Sequence, residues 1–132
     1  MATHPIMFEE DDPALARVRS LALALPGAEE RISHGRPWFH AGQAFAVYGG
    51  STKGPDSVRH DHGLLVHVDD DERPARMADP RFFVPAYVGP KGWLGIDVDT
   101  PDCDWTEVAE LIDASFHWVA PARLVRELDE RV

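Results

Sequence analysis

The chain reads FVPAYVGPKGWLGIDVD over residues 83–99, a stretch that indicates two short extended segments joined by a turn. Pro85 and Pro90 fix their own φ angles and lack a backbone N–H donor, which stiffens the turn. Gly89 and Gly92 can adopt positive φ and leave room for another group to approach the backbone. The stretch therefore predicts a rigid connection between two strands.

Two aromatic rings and one cation are grouped around this turn. Tyr87 lies before Pro90, Lys91 directly follows it, and Trp93 begins the second extended segment. A cation between two aromatic rings on a rigid loop is suited to recognising an anionic or aromatic partner. An ordinary Pro/Gly hairpin has the same composition, so both interpretations stay open at this point.

The length and composition predict one globular domain. The chain has 132 residues, of which 44% are hydrophobic and 27% charged, and this is enough to bury a core without disulfides. We expect a loose N-terminal arm over residues 1–10 and a single domain over 11–132. The arm is acidic and unlike a secretory signal. Cys103 is the only cysteine, which favours the reducing cytoplasm.

The net charge of −10 disfavours nonspecific attraction to nucleic acid or to an anionic membrane. The longest apolar stretch, residues 21–25, is also far too short to cross a bilayer. Residues 31–60 nevertheless hold four cations against the single carboxylate of Asp56, together with three histidines: Arg31, Arg36, Lys53, Arg59, His34, His40 and His60. An anion-binding face is therefore expected there, although the same charges would also serve solubility.

Hydrophobic periodicity predicts an α+β fold. One helix is expected from the Asp12-Pro13 cap to Pro26, a longer amphipathic helix from Asp104, and a last helix from Pro121. Strands are expected over residues 30–33, 37–40, 44–48, 63–68, 81–84 and 93–98, with a long mobile loop over 49–61 and a short helix over 71–78. Short connections between consecutive strands indicate antiparallel pairing.

Several short motifs follow one another in a distinctive order. They are LPGAEE at 25–30, HGRPWF at 34–39, AFA at 44–46, DPRFF at 79–83, PAYVG at 85–89, GWLGID at 92–97, DW at 104–105, VAP at 119–121 and RL at 123–124. In this order and spacing they resemble the YjbR/MmcQ family over about residues 10–130. The resemblance implies a single domain with a curved antiparallel sheet, helices packed mainly on one side, and a DNA-binding role attached to a "double-wing" arrangement. It implies no enzymatic activity and no cofactor.

DNA is therefore the nominal partner. Binding to DNA requires several cations on one surface to contact phosphates, and aromatic rings on which bases stack. The candidates are Arg36, Lys53, Arg59 and Lys91, with Trp38, Tyr87 and Trp93 for stacking. We expect a monomer or a weak dimer.

A small anionic ligand or a peptide is the alternative partner. One cleft could be lined by His34, Arg36, Trp38, Tyr87, Lys91 and Trp93. Arg36 would then bind a carboxylate or phosphate with two parallel hydrogen bonds. Both binding hypotheses expect the charged groups of Arg36 and Lys91 to lie side by side.

A catalytic role is the least favoured interpretation. His60 and His62 would share a face if they occupied alternate positions of a strand, but two ligands do not make a metal site and a solvated loop is favoured. The acidic residues 69–72 are expected to cap a helix. Acidic neighbours disfavour the thiolate form of Cys103. Because none of these residues forms a convincing catalytic or metal-binding set, we expect no enzyme, no cofactor and no metal.

Overall fold

Consecutive segments of the chain pair with one another in a single antiparallel sheet. The structure is a computed structural model that describes residues 5–131. Its strands are β1 (Glu29–Ser33), β2 (Arg36–Ala41), β3 (Gln43–Ser51), β4 (Arg59–His67), β5 (Phe82–Phe83) and β6 (Trp93–Asp97), in the sheet order β1-β2-β3-β4-β6-β5. Its helices are α1 (Pro13–Ala22), α2 (Arg73–Ala78), α3 (Trp105–Val119) and α4 (Ala122–Asp129), with a short 3₁₀ helix at Gly89–Lys91. The predicted α+β class and antiparallel pairing are confirmed.

One face of the sheet carries the main core. Phe39, Phe45 and Tyr48 point from β2 and β3 into a cluster that includes Phe116 of α3. The Phe45 and Phe116 rings meet edge to face with their centroids 5.4 Å apart. Because α3 lies against β3 and β4 while α1 contacts α3 and β3, the helices cover this first face.

The second face has a smaller apolar cluster. Val47, Leu65 and Trp93 are buried there, and half-buried Trp38 and Phe83 pack against them. These residues alternate along the strands with those of the main core, so their side chains point the opposite way.

A segment that we call the strap, residues 84–92, links β5 to β6 and packs on the second face. Val88 of the strap contacts the second cluster. Pro85 forms an isolated bridge with Thr52, and the Ala86 N–H donates to the Ser51 carbonyl at 2.7 Å. The strap therefore joins β6 to the far end of β3.

The loop predicted over residues 49–61 is shorter than expected. β3 continues to Ser51 and β4 already begins at Arg59, which leaves residues 52–58 as the connection. The glycines that suggested a loop lie inside the paired region instead, since Gly50 pairs with His60 next to an irregularity in the register. Glycine in a strand is typical of such a bulge.

The predicted N-terminal arm is attached to the domain where the structure describes it. The Met7 N–H donates to the Gly35 carbonyl at 2.9 Å, and Phe8 packs against the main core. Residues 1–4 of the arm and residue 132 of the predicted domain range lie outside the described residues. Between residues 5 and 131, no helix is both long enough and apolar enough to cross a membrane.

Ser115 connects α3 to two strands. Its hydroxyl donates to the Phe45 carbonyl at 2.6 Å and accepts from the His67 N–H at 3.0 Å. The side chain is fully buried, so water cannot replace either bond.

We predict that Ser115→Ala lowers the free energy of unfolding by about 2 kcal/mol, because it leaves a buried donor and a buried acceptor unsatisfied. Urea denaturation measures the change. The matched control is Ser20→Ala, an exposed serine on α1, for which we expect a change within about 0.5 kcal/mol. Equal effects of the two variants would contradict the proposed connection.

Candidate functional site

Arg36 is a buried cation whose partner lies two strands away. Only 8% of the residue is exposed, and its Nη2 donates to Asp61 Oδ1 at 2.9 Å. Arg36 is in β2 and Asp61 in β4, so the side chain crosses over β3. It can cross because the intervening residue is Gly49, where a Cβ would lie 2.1 Å from Arg36 Nη1.

Asp61 receives a second guanidinium group from Arg59. The Nε and Nη2 atoms of Arg59 both lie 3.1 Å from Asp61 carboxylate oxygens. Burial alone would raise the pKa of Asp61, but the hydrogen bonds from Arg36 and Arg59 outweigh it and the pKa is lowered. Since one carboxylate cannot neutralise two guanidinium groups, a surplus positive charge remains on exposed Arg59.

We predict that Gly49→Ala destabilises the protein by about 2–5 kcal/mol, because it combines a strained backbone with a clash against the guanidinium group. The φ angle of Gly49 is 93°. The control is Gly54→Ala, where φ is 99° but no atom lies within 4 Å of the added Cβ. Thermal unfolding of both variants separates strain from clash. A loss for Gly49→Ala no larger than that of the control would refute the clash.

The eight residues predicted to bind a partner are not gathered in one cleft. Arg36 contacts Asp61 near the beginning of β4, whereas Lys91 precedes Gly92, whose carbonyl accepts from the Val68 N–H just beyond the end of β4. The two cations therefore lie near opposite ends of this strand. The expectation that their charged groups sit side by side is wrong, because β4 and β6 run antiparallel and carry residue 91 to the far end.

Three of the predicted residues, Lys53, Arg59 and Tyr87, lie on adjoining segments of backbone. Lys53 follows Thr52, which bridges to Pro85 of the strap, and Arg59 pairs with Ser51. We call this region the tip: the β3–β4 connection with its flanking residues, 51–59, and the adjoining strap residues 85–87. Within the described residues 5–131, neither Lys53 nor Lys91 forms an ion pair.

Hydrogen bonds within the connection hold the tip in shape. The Val58 N–H donates to Thr52 Oγ1 at 2.9 Å, and Ser57 Oγ donates to the Thr52 carbonyl at 2.7 Å. Tyr87 projects from the adjoining strap with 90% of its surface exposed and a φ of 69°. The ring therefore makes little contact with the domain and is accessible to solvent, and the backbone at Tyr87 has the positive φ that is uncommon outside glycine.

The two predicted tryptophans have a packing role. Trp93 is buried in the second-face cluster, and Trp38 is half-buried beside it. His34 lies in the turn before β2, with its ring centroid 6.4 Å from that of Trp38. Stacking with a base needs a free ring face, which Trp93 does not offer.

His60 and His62 point to opposite faces, so the expectation of a shared face is wrong. His60 Nδ1 lies 2.9 Å from Asp97 Oδ1, and its ring stacks on Phe83 with centroids 3.7 Å apart. Between the pairs Tyr48–Leu64 and Gly50–His60, β3 has one residue and β4 has three. This bulge breaks the usual alternation of side chains between the two faces of the sheet. Both histidines lie in β4, not in a solvated loop. Among residues 5–131 no group of three or more side chains could hold a metal ion.

Asp12 forms a polar network that the sequence did not reveal. The predicted N-cap is confirmed, since Asp12 Oδ1 accepts from the Ala14 N–H at 2.9 Å. Asp12 Oδ2 also accepts from Tyr48 OH at 2.6 Å and interacts with His62 Nδ1 at 2.7 Å. Burial raises the pKa of Asp12, but these hydrogen bonds outweigh it and the pKa is lowered. Burial, together with the bond to Asp12, raises the pKa of Tyr48.

We predict that Asp12→Asn costs about 2 kcal/mol at about pH 7, because it weakens hydrogen bonds to a buried charged acceptor. A carboxyl whose pKa is lowered by folding stabilises the protein above its unfolded pKa of about 3.9, and this contribution is lost as pH falls through the folded pKa. Denaturation of both proteins at neutral and acidic pH tests this. A stability difference that stays constant down to about pH 2 would contradict it.

The comparisons with known proteins agree with this architecture. The model of the YjbR family matches residues 23–118. The chain belongs to the YjbR family. The match covers the whole sheet and almost all of α3, and it leaves α1 and α4 outside.

A solved structure shares the fold of this YjbR protein. Deinococcus radiodurans protein DR2400, described as a DUF419 domain, superposes with a TM-score of 0.59 over 87% of each chain at 17% sequence identity. At that identity the likeness supports the fold alone. A comparison with curated proteins found no match.

Proposed function

We propose that this YjbR-family protein is a non-catalytic DNA-binding domain that contacts its partner through the tip. The observation that supports this is the joint position of Lys53, Arg59 and Tyr87 on a hairpin and strap held together by backbone contacts. The β3–β4 hairpin would be one wing of the double-wing arrangement that the family resemblance implies. Its two cations would contact phosphates, and the Tyr87 ring would stack on a base.

The charge balance favours single-stranded DNA and modest affinity. Lys53 and the surplus charge at Arg59 are opposed locally by Asp56, and the whole chain carries −10. Repulsion from distant carboxylates is screened beyond about 8 Å at physiological salt. With two phosphate contacts, the logarithm of the binding constant should fall with the logarithm of salt with a slope of about −1.4. Because few charges are available, the exposed aromatic ring supplies a large share of the affinity, and single strands offer it free bases.

The small-ligand alternative has weaker support. Its cleft needs Arg36, Trp38, Tyr87, Lys91 and Trp93 around one space, but Arg36 is closed off by Asp61 and Trp93 is buried. We also propose a cytoplasmic location, which is supported by the lone Cys103, and a monomeric or weakly dimeric state.

We predict that Lys53→Ala/Arg59→Ala weakens binding of labelled oligothymidine about tenfold at low salt, and that Tyr87→Ala weakens it by a similar factor. Asp56→Asn should strengthen binding, since it removes the opposing charge of the tip. Fluorescence anisotropy with oligothymidine and with a duplex of equal length measures these effects.

The matched control is Arg123→Ala/Arg126→Ala, which removes two cations from the exposed side of α4. We expect this variant to bind like the parent protein at equal salt. Flat anisotropy with both oligonucleotides at low salt would eliminate the proposed function. Equal weakening by the α4 variant would show that net charge, not the tip, determines binding.

A further inference from the structure

A second concave surface lies at the other end of β4. It is a pocket of about 240 Å³ between the second half of α3 and the chain that leaves β4. Leu111 and Ala114 line it on α3, and Trp118 and His67 form one wall. Asp69 and Glu72 line it where the chain leaves β4 and form its acidic wall, and His117 of α3 is also among the lining residues. None of these residues belongs to the tip.

The aromatic wall is exposed and uncharged. Trp118 is 52% exposed, an unusual position for the largest apolar side chain. Its ring stacks on His67 with centroids 5.3 Å apart and an angle of 16° between the planes. Burial lowers the pKa of His67, against the opposing effect of the Asp70 carboxylate, so the imidazole is neutral at neutral pH. Its Nδ1 is buried without a hydrogen-bond partner among the described residues.

The acidic wall does not serve the helix cap predicted for it. Asp69 Oδ1 accepts from the Asp71 N–H at 2.9 Å, which closes a turn before α2. Glu72 occupies the N-cap position of α2 but makes no capping hydrogen bond with its side chain. Within residues 5–131 the Glu72 carboxylate has no hydrogen bond or ion pair, so it is available to a ligand.

The end of α3 adds to the negative potential of the pocket. Trp118 lies in the last turn of the helix, where the carbonyl groups carry the negative end of the dipole. Two basic groups lie nearby. His117 is offset by the Asp129 carboxylate, since its Nε2 lies 2.7 Å from Asp129 Oδ1, whereas Arg73 donates from Nη2 to the Gly89 carbonyl at 3.0 Å and keeps its charge. Carboxylates, a helix C-terminus and an open aromatic face all favour a positive ligand.

We propose that this pocket binds an organic cation, an alkylammonium or guanidinium group, which stacks on Trp118 and pairs with Asp69 and Glu72. A compact metal ion would leave the indole face unused, whereas an organic cation uses both walls. This site is separate from the proposed DNA contact, since the lining of the pocket and the tip share no residue.

The test is an NMR titration that follows the indole N–H of Trp118 and the backbone amides of residues 69–72. The probes are a capped Gly-Arg-Gly peptide, its lysine analogue, and spermidine. A capped peptide with citrulline in place of arginine has nearly the same shape without the charge. We expect saturable shifts with the cations and none with citrulline. Saturation by spermidine alone would assign the site to free amines, and saturation by the peptides to a basic protein segment.

Two variants test the walls. Asp69→Asn/Glu72→Gln should weaken cation binding about tenfold, and the asparagine keeps the oxygen that accepts from Asp71. Trp118→Leu should weaken it by a similar factor, followed through the amides. The control, Glu127→Gln/Glu130→Gln, removes two exposed charges in α4 and at its C-cap, and should bind like the parent. Equal shifts with citrulline and arginine, or undiminished binding by the Asp69/Glu72 variant, would overturn the proposal.

Discussion

The ion pair between buried Arg36 and Asp61 constrains three adjacent strands of the sheet, β2, β3 and β4. A guanidinium group that is almost fully buried requires an anionic partner, since an unpaired charge in that position would cost several kcal/mol. That partner lies two strands away, so β3 must present no side chain between them. Gly49 meets this requirement through a bulge with positive φ. The ion pair, the glycine and the bulge are therefore one structural unit at the root of the tip.

This unit also determines which cations remain for a partner. Residues 31–60 hold four cationic side chains, but their number overstates the available charge. Arg31 forms an ion pair with Glu29, and Arg36 forms an ion pair with Asp61 across the sheet. Asp61 is shared by Arg36 and Arg59, so exposed Arg59 keeps part of its charge for solvent or a ligand. Of the four cations, only Lys53 and Arg59 keep charge for the anion-binding face that we propose at the tip, and Tyr87 lies on the adjoining strap.

Local sequence patterns predicted the helices and strands, but they did not indicate the contacts between residues that are distant in the sequence. Alternating apolar residues and short turns placed the strands except for the first four residues of β4, and cap residues such as Asp12 located where helices begin. The loop over 49–61 was misjudged because glycine has the same local signature in a turn and in a bulge. Arg36 and Lys91 were wrongly placed together because register through an irregular strand decides which end of the sheet each occupies. The network of Asp12, Tyr48 and His62 spans up to 50 residues, and no local spacing indicates it.

The two proposed binding surfaces, the tip and the pocket, adjoin the two ends of β4. The strand runs from Arg59 at the tip to His67 at the pocket, a separation of up to about 26 Å. Along the strand this exceeds the screening length of about 8 Å at physiological salt, which weakens the effect of the pocket carboxylates on an anion bound at Arg59. A net charge of −10 is thus compatible with two sites of opposite preference. What matters to a ligand is the charge within one screening length, and β4 places Arg59 and the lining residue His67 at its two ends.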